Sequence, residues 1–350
     1  MADRYEYSAL LDFGTSLGRK AGLPQDRART QAEILIEADL MGHTTHGLSL
    51  LPNYLKELES GTSNASGEPS VLSDRGATVL WDGNSVPGTC LVASAVAEAL
   101  PRTAKHGVVT YVIKRSGHIG ALISYLQRAT ERGRIMILMT TNPLARSVVP
   151  AGGIDPVLAP NPVAFGCPTE GDPILVDIST SAVANGWVRR WASEGRQLPA
   201  DWVQDSRGNL TRDPGALFGS PPGALLPLGG IELGHKGFAL GLMVEILTGG
   251  LSGVGHTGAP TDAGNLVFMQ LIDPRAFGGL PLLKRDTSIL ADACRTSRPR
   301  SEGTAVRMPG DRALALRRAQ LSTGVELHQT TMPNLRPWAD KLGVAPPQTK

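Results

Sequence analysis

Cysteine is scarce in this sequence, and its three residues lie far apart. Cys90, Cys167 and Cys294 form no Cys-x-x-Cys pattern, which excludes a disulfide framework and favours a reducing compartment. An excess of one charge is also lacking, because 34 lysines and arginines accompany 32 aspartates and glutamates and leave a net charge of +2. We therefore expect no nucleic-acid partner.

Long apolar runs are absent as well. No stretch approaches the roughly 20 apolar residues that cross a bilayer, so we expect no membrane partner. The first residues are mixed and charged, unlike a signal peptide, and we expect a cytoplasmic protein. Aromatic residues make up only 5% of the chain, whereas 41 glycines and 26 prolines predict many tight turns. The 350 residues suffice for one large domain or two modest ones.

Helical periodicity dominates both ends of the chain. The segment "DRARTQAEILIEADLMG" places Ala32, Leu35 and Leu40 on one stripe, and the last fifty residues return to the same spacing. Between the two ends, β-branched runs such as "VVTYVIKR" alternate with helical segments. This order predicts an α/β (α+β) protein in which two helical ends form one discontinuous domain around a central layer.

The stretch "GHTTHGLSL", residues 42–50, carries two histidines between two predicted helices. On a helix, His43 and His46 would share a face and could hold a metal ion, whereas on a turn only one imidazole need meet a substrate. No third ligand in a His-Glu-x-x-His or Cys-x-x-Cys pattern accompanies them. We expect no metal, although a metal-dependent hydrolase or lyase that uses both histidines stays an alternative.

Two other stretches predict anion-binding helix starts. His118 follows a strand that we expect to end near Lys114 and precedes a helix that we expect from about Ile119. The stretch "GHKG" is predicted in the first turn of the most apolar helix, where Lys236 would be electrostatically misplaced unless a phosphate or carboxylate were bound. In each case a capping or solvent-exposed side chain is the alternative.

Asp177 ends the apolar strand predicted from "PILVDISTS". A carboxylate there has to be stabilised by hydrogen bonds, for which Thr180, Ser181 or the hydroxyls of a ribose are candidates. A turn-capping aspartate is the alternative.

Longer blocks of the sequence resemble a known family. They include "THGLSLLPNYLKELESG", "SGHIGALISYLQRA", "APNPVAFGCP", "PILVDISTSAVANG", "LPADWVQDSRGNLTRDP" and "LPLGGIELGHKGFALGLMVEILTGGLSG". In this order they resemble the malate/L-lactate dehydrogenases of the non-Rossmann type, a family that also contains ureidoglycolate and sulfolactate dehydrogenases, diketogulonate reductase and the piperideine/pyrroline-2-carboxylate reductases. The resemblance covers nearly the whole chain.

The resemblance implies a helical domain from residues 1–72 and 300–350, and an NAD(P)-binding domain from residues 73–299 on a mixed, largely antiparallel sheet. It also implies a homodimer, NADH or NADPH as cofactor, and hydride transfer to a small 2-oxo acid or cyclic 2-imino acid, or from the corresponding 2-hydroxy acid. His46 would be the proton donor or acceptor, with Thr45 in place of the usual serine. The cofactor residues it implies are His118, Ile119, Gly120, Ala121, Val176, Asp177, Ile178, His235, Lys236 and Gly237.

Departures from the family pattern concern the substrate. Relatives often carry a carboxylate-binding arginine four residues after the histidine, where this chain has Leu50, and a charged residue where it has Trp187. We expect Arg146, in a turn after a strand, to replace the missing guanidinium. The substrate residues expected together are Tyr54, Arg146, Asn161 and Trp187. A family member that has lost catalysis and acts as a binding protein is the alternative.

Overall fold

The computed structural model describes residues 3–256, 258–301 and 303–350. In these residues the α-helices are α1 (Tyr7–Lys20), α2 (Gln25–Leu40), α3 (Leu51–Glu59), α4 (Gly88–His106), α5 (Ile123–Thr130), α6 (Asn185–Ser193), α7 (Gly230–Glu245), α8 (Leu280–Arg295), α9 (Asp311–Thr323) and α10 (Thr331–Leu342). The strands are β1 (Arg4–Tyr5), β2 (Ser70–Asp74), β3 (Thr78–Asp82), β4 (Val108–Ser116), β5 (Ile135–Thr141), β6 (Val163–Cys167), β7 (Ile174–Ile178), β8 (Val203–Gln204), β9 (Leu210–Thr211), β10 (Ala224–Leu225), β11 (Asn265–Ile272) and β12 (Val325–Glu326).

Seven strands form the central sheet, in the order β2-β3-β4-β11-β5-β6-β7. The β3–β4 pair is parallel, and each of the other neighbouring pairs is antiparallel. β-Branched and aromatic residues favour the long strand β4, because they pack well on a pleated surface. The mixed, largely antiparallel sheet that the family resemblance implies is confirmed.

Helices cover both faces of this sheet. Along β4, Tyr111 and Ile113 belong to the largest apolar cluster, together with residues of α4 and α5. The intervening Val112 belongs to a second cluster with Val244 of α7. This alternation follows from the two-residue period of a strand, which sends successive side chains to opposite faces.

The two ends of the chain pack together in a third apolar cluster, which contains residues of α1, α2, α3, β12 and α10. Tyr5 of β1 pairs with Val325 of β12. Because α2 also contributes Ile34 and Ala38 to the sheet cluster, the helical ends lie directly against the central layer. The domain boundaries at 72/73 and 299/300 stay a prediction.

A small three-stranded sheet, in the order β10-β8-β9, lies after α6 in the chain. Val203 of β8 and Leu225 of β10 share a separate apolar cluster with Val188 of α6. This small core supports the helix that carries Trp187 and the arginines that follow it.

Two expected helix starts are wrong. Strand β4 continues to Ser116, and α5 begins only at Ile123 because Gly120, at a φ of 69°, breaks the helical path. Helix α7 begins at Gly230, after Gly229 with a φ of 99°, so "GHKG" lies inside the helix rather than in its first turn. Glycine adopts this left-handed conformation without the steric cost that other residues incur. No helix in the described part of the chain is both long and apolar enough to cross a membrane.

Candidate active site

A cavity of about 520 Å³ opens beside the turn that follows α2. Most residues of the segments 42–46, 118–122, 140–145, 159–162, 177–179 and 183–187 form its walls, together with Asn265. Among the described residues that line it there is no lysine or arginine, and Asp177 is the one carboxylate. The cavity therefore combines histidines, small polar groups and backbone from both the helical ends and the sheet.

His46 lines this cavity from a turn. Its amide donates to the carbonyl of His43 at 2.8 Å, which closes the turn after α2. The hydroxyl of Thr45 lies 2.8 Å from Nδ1 of the same imidazole. Since this hydrogen bond occupies Nδ1, Nε2 is the ring nitrogen left for a ligand.

Two of the three imidazoles in the cavity wall, those of His46 and His118, have a lowered pKa. Burial lowers the pKa of His46 to about 4, and the nearby ring of His118 acts in the same direction. Burial likewise lowers the pKa of His118 to about 4. The two ring centroids lie 6.0 Å apart. Because burial disfavours the charged form, both rings are neutral at neutral pH and each keeps one nitrogen that accepts and one that donates.

His118 has a defined tautomer. Its Nδ1 accepts a hydrogen bond from the amide of Gly120 at 3.2 Å and lies 2.7 Å from the hydroxyl of Tyr54. A nitrogen that accepts carries no proton, so the proton of the neutral ring lies on Nε2. Tyr54 is buried and reaches the site through this contact, without itself lining the cavity.

Asp177 extends from β7 into the cavity wall. Its Oδ2 accepts from the amide of Ile123, the first residue of α5, at 2.9 Å, and lies 4.0 Å from Nδ1 of His43. Thr180 and Ser181, two of the partners considered from the sequence, were wrong, since the hydroxyl of Thr180 donates to the carbonyl of Pro160 and that of Ser181 donates to the carbonyl of Val183. A carboxylate at a helix N-terminus is favoured by the free amides and by the helix dipole.

Asn161 is fully buried in the cavity wall, with a φ of 43°. Its amide nitrogen donates to Oε1 of Glu245 at 2.9 Å and to the carbonyl of Gly241 at 3.2 Å. Its carbonyl oxygen, Oδ1, has no hydrogen-bond partner among the described residues. A buried acceptor without a donor is costly, so this oxygen is suited to an N–H or O–H group of a ligand.

The other residues expected at the site divide into two groups. Gly120, Ala121 and Trp187 line the cavity, together with His46, His118, Thr45, Asp177 and Asn161. The rest lie outside the set of lining residues: Ile119, Val176, Ile178, His235, Lys236, Gly237, Tyr54 and Arg146. For Val176 and Ile178 the reason is the strand period, because they alternate with Asp177 and point to the other face.

Helix geometry explains the position of "GHKG". His235 and Lys236 are exposed in the second turn of α7, and Gly237 is buried against the backbone of Leu228. Arg146 is exposed, and its Nε lies 3.4 Å from the carbonyl of Pro143. Its neighbour Ala145 lines the cavity.

Two residues near His46 were missed by sequence reasoning. Asp39, at the end of α2, is buried and accepts the amide of Leu48 at 2.7 Å, and burial raises its pKa to about 8. Arg190 of α6 donates to both the hydroxyl and the carbonyl of Thr44, at 2.8 and 3.1 Å. A charged residue at the end of an apolar helical stripe was the available signal for Asp39, while Arg190 stands three residues after Trp187 and so shares its helical face.

No group of three or more metal-ligating side chains occurs among the residues that the structure describes. His43 and His46, which the alternative hypothesis paired on one ion, have other contacts. The ring of His46 is hydrogen-bonded to the hydroxyl of Thr45, and the ring of His43 lies near the carboxylate of Asp177.

Comparisons with known proteins agree with this architecture. A family model described as malate/L-lactate dehydrogenase matches residues 5–336. The L-lactate dehydrogenase of Cupriavidus necator is 34% identical over 333 residues, covering 93% of this chain and 94% of that protein. The Delta(1)-pyrroline-2-carboxylate/Delta(1)-piperideine-2-carboxylate reductase of Pseudomonas syringae pv. tomato is 31% identical and covers 94% of each chain. The solved malate dehydrogenase of Pyrococcus horikoshii OT3 superposes with a TM-score of 0.89 at 29% identity, over 99% of this chain and 97% of that one.

The fold and the distributed sequence match define a dehydrogenase or reductase. The chain belongs to the malate/L-lactate dehydrogenase family. The resemblance identified from the sequence blocks is therefore confirmed.

Proposed function

We propose that this protein is an NADH- or NADPH-dependent oxidoreductase that transfers a hydride between nicotinamide and a small 2-oxo or 2-hydroxy acid or a cyclic 2-imino acid. The observation that carries the proposal is His46, a neutral imidazole that is oriented by Thr45 and lines a cavity in a chain of this family. Lactate and malate dehydrogenases and a pyrroline-2-carboxylate reductase among the relatives support this substrate class.

His46 is the proposed proton donor and acceptor. A bound nicotinamide supplies or accepts the hydride. In the direction of oxidation, the free Nε2 of His46 takes the proton of the substrate hydroxyl or amine as the hydride leaves the neighbouring carbon. In the direction of reduction, the protonated ring returns that proton to the oxygen or nitrogen that gains the electron pair. In the neutral ring Nδ1 carries the proton and donates to the Thr45 hydroxyl, which leaves Nε2 free to act as the base. The same hydrogen bond persists when Nε2 is also protonated, so the imidazole stays oriented in both states.

The residues of the cavity fit a nicotinamide group. The orphaned Oδ1 of Asn161 is an acceptor for the carboxamide NH₂ of that ring, which would provide the missing donor. We assign Asp177 to a ribose hydroxyl, since a carboxylate can accept further hydrogen bonds beside the one from Ile123. The segment His118–Ala121 would lie along the dinucleotide, with Ile119 taking part only through its backbone because its side chain is buried in the sheet core.

The remaining residues assigned from the sequence are proposed to have indirect or peripheral roles. His235, Lys236 and Gly237 on α7, and Val176 and Ile178 on β7, would meet the cofactor only at its outer end. Tyr54 acts through His118, and Trp187 shapes the substrate end of the cavity.

Steady-state turnover with both dinucleotides tests this function. Purified protein would be assayed by the nicotinamide absorbance against 2-oxo acids, 2-hydroxy acids and a cyclic 2-imino acid, with NAD⁺ or NADP⁺ in the oxidative direction. We expect turnover with at least one acid and a clear preference for one dinucleotide. Binding of a dinucleotide without turnover across the whole panel would overturn the proposal in favour of a binding protein.

We also propose that two copies of this chain form a homodimer. Helix α7 and the π-helical turn that continues it (Ile246–Gly250) leave large apolar side chains exposed, among them Ile231 and Ile246, each at 63% exposure. Exposed apolar surface of this extent is typical of an interface. Light scattering after size-exclusion chromatography checks the mass in solution, and a monomer at micromolar concentration would contradict the proposal.

A further inference from the structure

Among the described residues, the cavity lining lacks a positive charge for the carboxylate of the proposed substrates. The residues that line the cavity include no lysine or arginine in the described part of the chain, yet the proposed substrates carry a carboxylate. Leu50, four residues after His46, is half-buried and packs against the helical core. A carboxylate removed from water requires a positive partner or several hydrogen-bond donors.

Arg190 lies beside this cavity without being one of the residues that line it. It lies one helical turn after Trp187, and its guanidinium carbon is 5.1 Å from the centre of the Trp187 ring. Its two terminal nitrogens bind Thr44, between the lining residues His43 and Thr45. The guanidinium therefore lies at the junction of the two wall segments that carry the candidate acid/base and the indole.

Arg190 makes no direct ion pair with a carboxylate among the described residues, although Glu194 and Asp39 lie near enough to raise its pKa slightly against the effect of burial. The nearest candidate in sequence, Glu194, pairs with Arg196 and His328 instead. Within the described residues the Arg190 guanidinium makes two hydrogen bonds, both to Thr44, although it offers five N–H groups. The side chain is half-buried, and burial lowers its pKa. A partly desolvated arginine without an anionic partner is unusual, because such a cation is normally paired.

We propose that Arg190 is the substrate-binding guanidinium of this protein and holds the carboxylate, or another acidic group, of the 2-oxo acid. The planar guanidinium stacks on Trp187, is held in register by Thr44, and presents its remaining N–H groups to the anion. The guanidinium would thus supply the positive charge that the residues lining the cavity lack in the described part of the chain. The identity of the anion as a 2-oxo acid rests on the proposed function; the anion site itself does not.

Binding of an unreactive analogue tests Arg190 without requiring turnover. Oxamate, which has a carboxylate beside a carbonyl, and its neutral counterpart oxamide would be titrated calorimetrically into the protein saturated with the dinucleotide that it binds, or into the free protein. Arg190→Met should weaken oxamate binding by roughly 10- to 100-fold, as expected for loss of a charge-assisted hydrogen bond, and should leave oxamide binding unchanged. The matched control is Arg189→Met, since Arg189 is exposed on the same helix with its guanidinium over Phe218.

A second variant separates binding from a structural role. Thr44→Val removes one hydrogen bond that positions Arg190 but keeps its charge, so oxamate affinity should change by less than about 5-fold. Wild-type oxamate affinity in Arg190→Met overturns the proposal. So does an equal loss of oxamate and oxamide binding in both variants, because that pattern belongs to a residue that only supports the turn.

The controls also distinguish this proposal from the proposed function. If the wild-type protein binds oxamate through Arg190 but reduces no 2-oxo acid, the function fails and the anion site stands. If the wild-type protein turns over 2-oxo acids but Arg190→Met keeps the KM of the wild type, the function stands and the anion site is overturned.

Discussion

Gly47 packs directly over the carboxyl group of Asp39. A Cβ atom at position 47 would lie closer to the three carboxyl atoms than real Cβ contacts allow. The same carboxyl group accepts the amide of Leu48 at 2.7 Å. The end of α2 therefore fixes the chain on the C-terminal side of His46, while the bond between the amide of His46 and the carbonyl of His43 fixes the other side.

Gly47→Ala should disturb this turn. The added methyl group overpacks against Asp39, and we expect a loss of about 1–3 kcal/mol in the free energy of unfolding together with lower turnover as His46 shifts. Urea denaturation and steady-state kinetics measure the two effects. Gly171→Ala is the matched control, because no atom lies within 4 Å of the Cβ it would gain. Wild-type stability and turnover in Gly47→Ala would show that the turn is not constrained as described.

Asp39→Asn should remove a pH-dependent loss of stability. Burial raises the pKa of Asp39 to about 8 in the folded protein, whereas an unfolded aspartate titrates near pH 4. As pH rises from about 4 to about 8, the unfolded state releases its proton while the folded state retains it, so this group costs stability across that window. The Tm of Asp39→Asn relative to wild type should therefore rise from pH 5 to pH 8.

The control for that comparison is Asp26→Asn, an exposed aspartate on the same helix. A difference in Tm between Asp39→Asn and wild type that stays constant with pH would contradict a raised pKa at Asp39.

His46→Ala should abolish most turnover but leave dinucleotide affinity nearly unchanged. A general base contributes roughly 100- to 10,000-fold, and we expect kcat/KM to fall within that range. Because the pKa of His46 is lowered to about 4, the free enzyme holds the base form above that pH. In wild type, kcat/KM for oxidation should rise with pH through about 4 and then level off.

Stopped assays across the pH range, with dinucleotide binding followed by tryptophan fluorescence, check both statements. His106→Ala, at an exposed position at the end of α4, is the control. A His46→Ala protein that retained full activity would remove His46 from the mechanism.

Tyr54→Phe should weaken catalysis modestly through His118. The phenol hydroxyl lies 2.7 Å from Nδ1 of His118, and one net hydrogen bond is worth about 1 kcal/mol, or roughly 5-fold in kcat/KM. The lost contact also weakens the preference for the tautomer that has its proton on Nε2, so the pH profile of kcat/KM should change as well. Tyr7→Phe on α1 is the control, and an unaltered pH profile in Tyr54→Phe would contradict the positioning role.

The sequence was most informative where local pattern decides structure. The position of His46 between two helices follows from the strong apolar periodicity of α2 and α3 on either side. The predicted helix start at "GHKG" was wrong because the Gly229–Gly230 pair begins α7 and does not belong to the loop that precedes it. Periodicity alone does not say on which side of a helix start a glycine pair lies.

Long-range contacts lay outside what pattern could predict. The placement of β11 between β4 and β5 depends on pairings across more than a hundred residues. The position of Arg190 beside the cavity becomes visible only through its hydrogen bond to Thr44, which is 146 positions away in the chain. The strand period, in contrast, is sufficient to separate Asp177 from Val176 and Ile178 in the sequence itself, since neighbouring residues of a strand face opposite ways.

Helix α2 contributes one side of its surface to the helical core, through Leu35 and Leu40, and another to the sheet core, through Ile34 and Ala38. The wall of the cavity that bears His46 is thus anchored twice, and moving it would expose apolar surface in two cores at once. The wall that bears Trp187 rests on the separate, smaller core of the three-stranded sheet. Local opening costs less where fewer apolar contacts are broken, so we expect the Trp187 side to open more readily than the wall that bears His46, and we expect a ligand of the proposed site to enter and leave there.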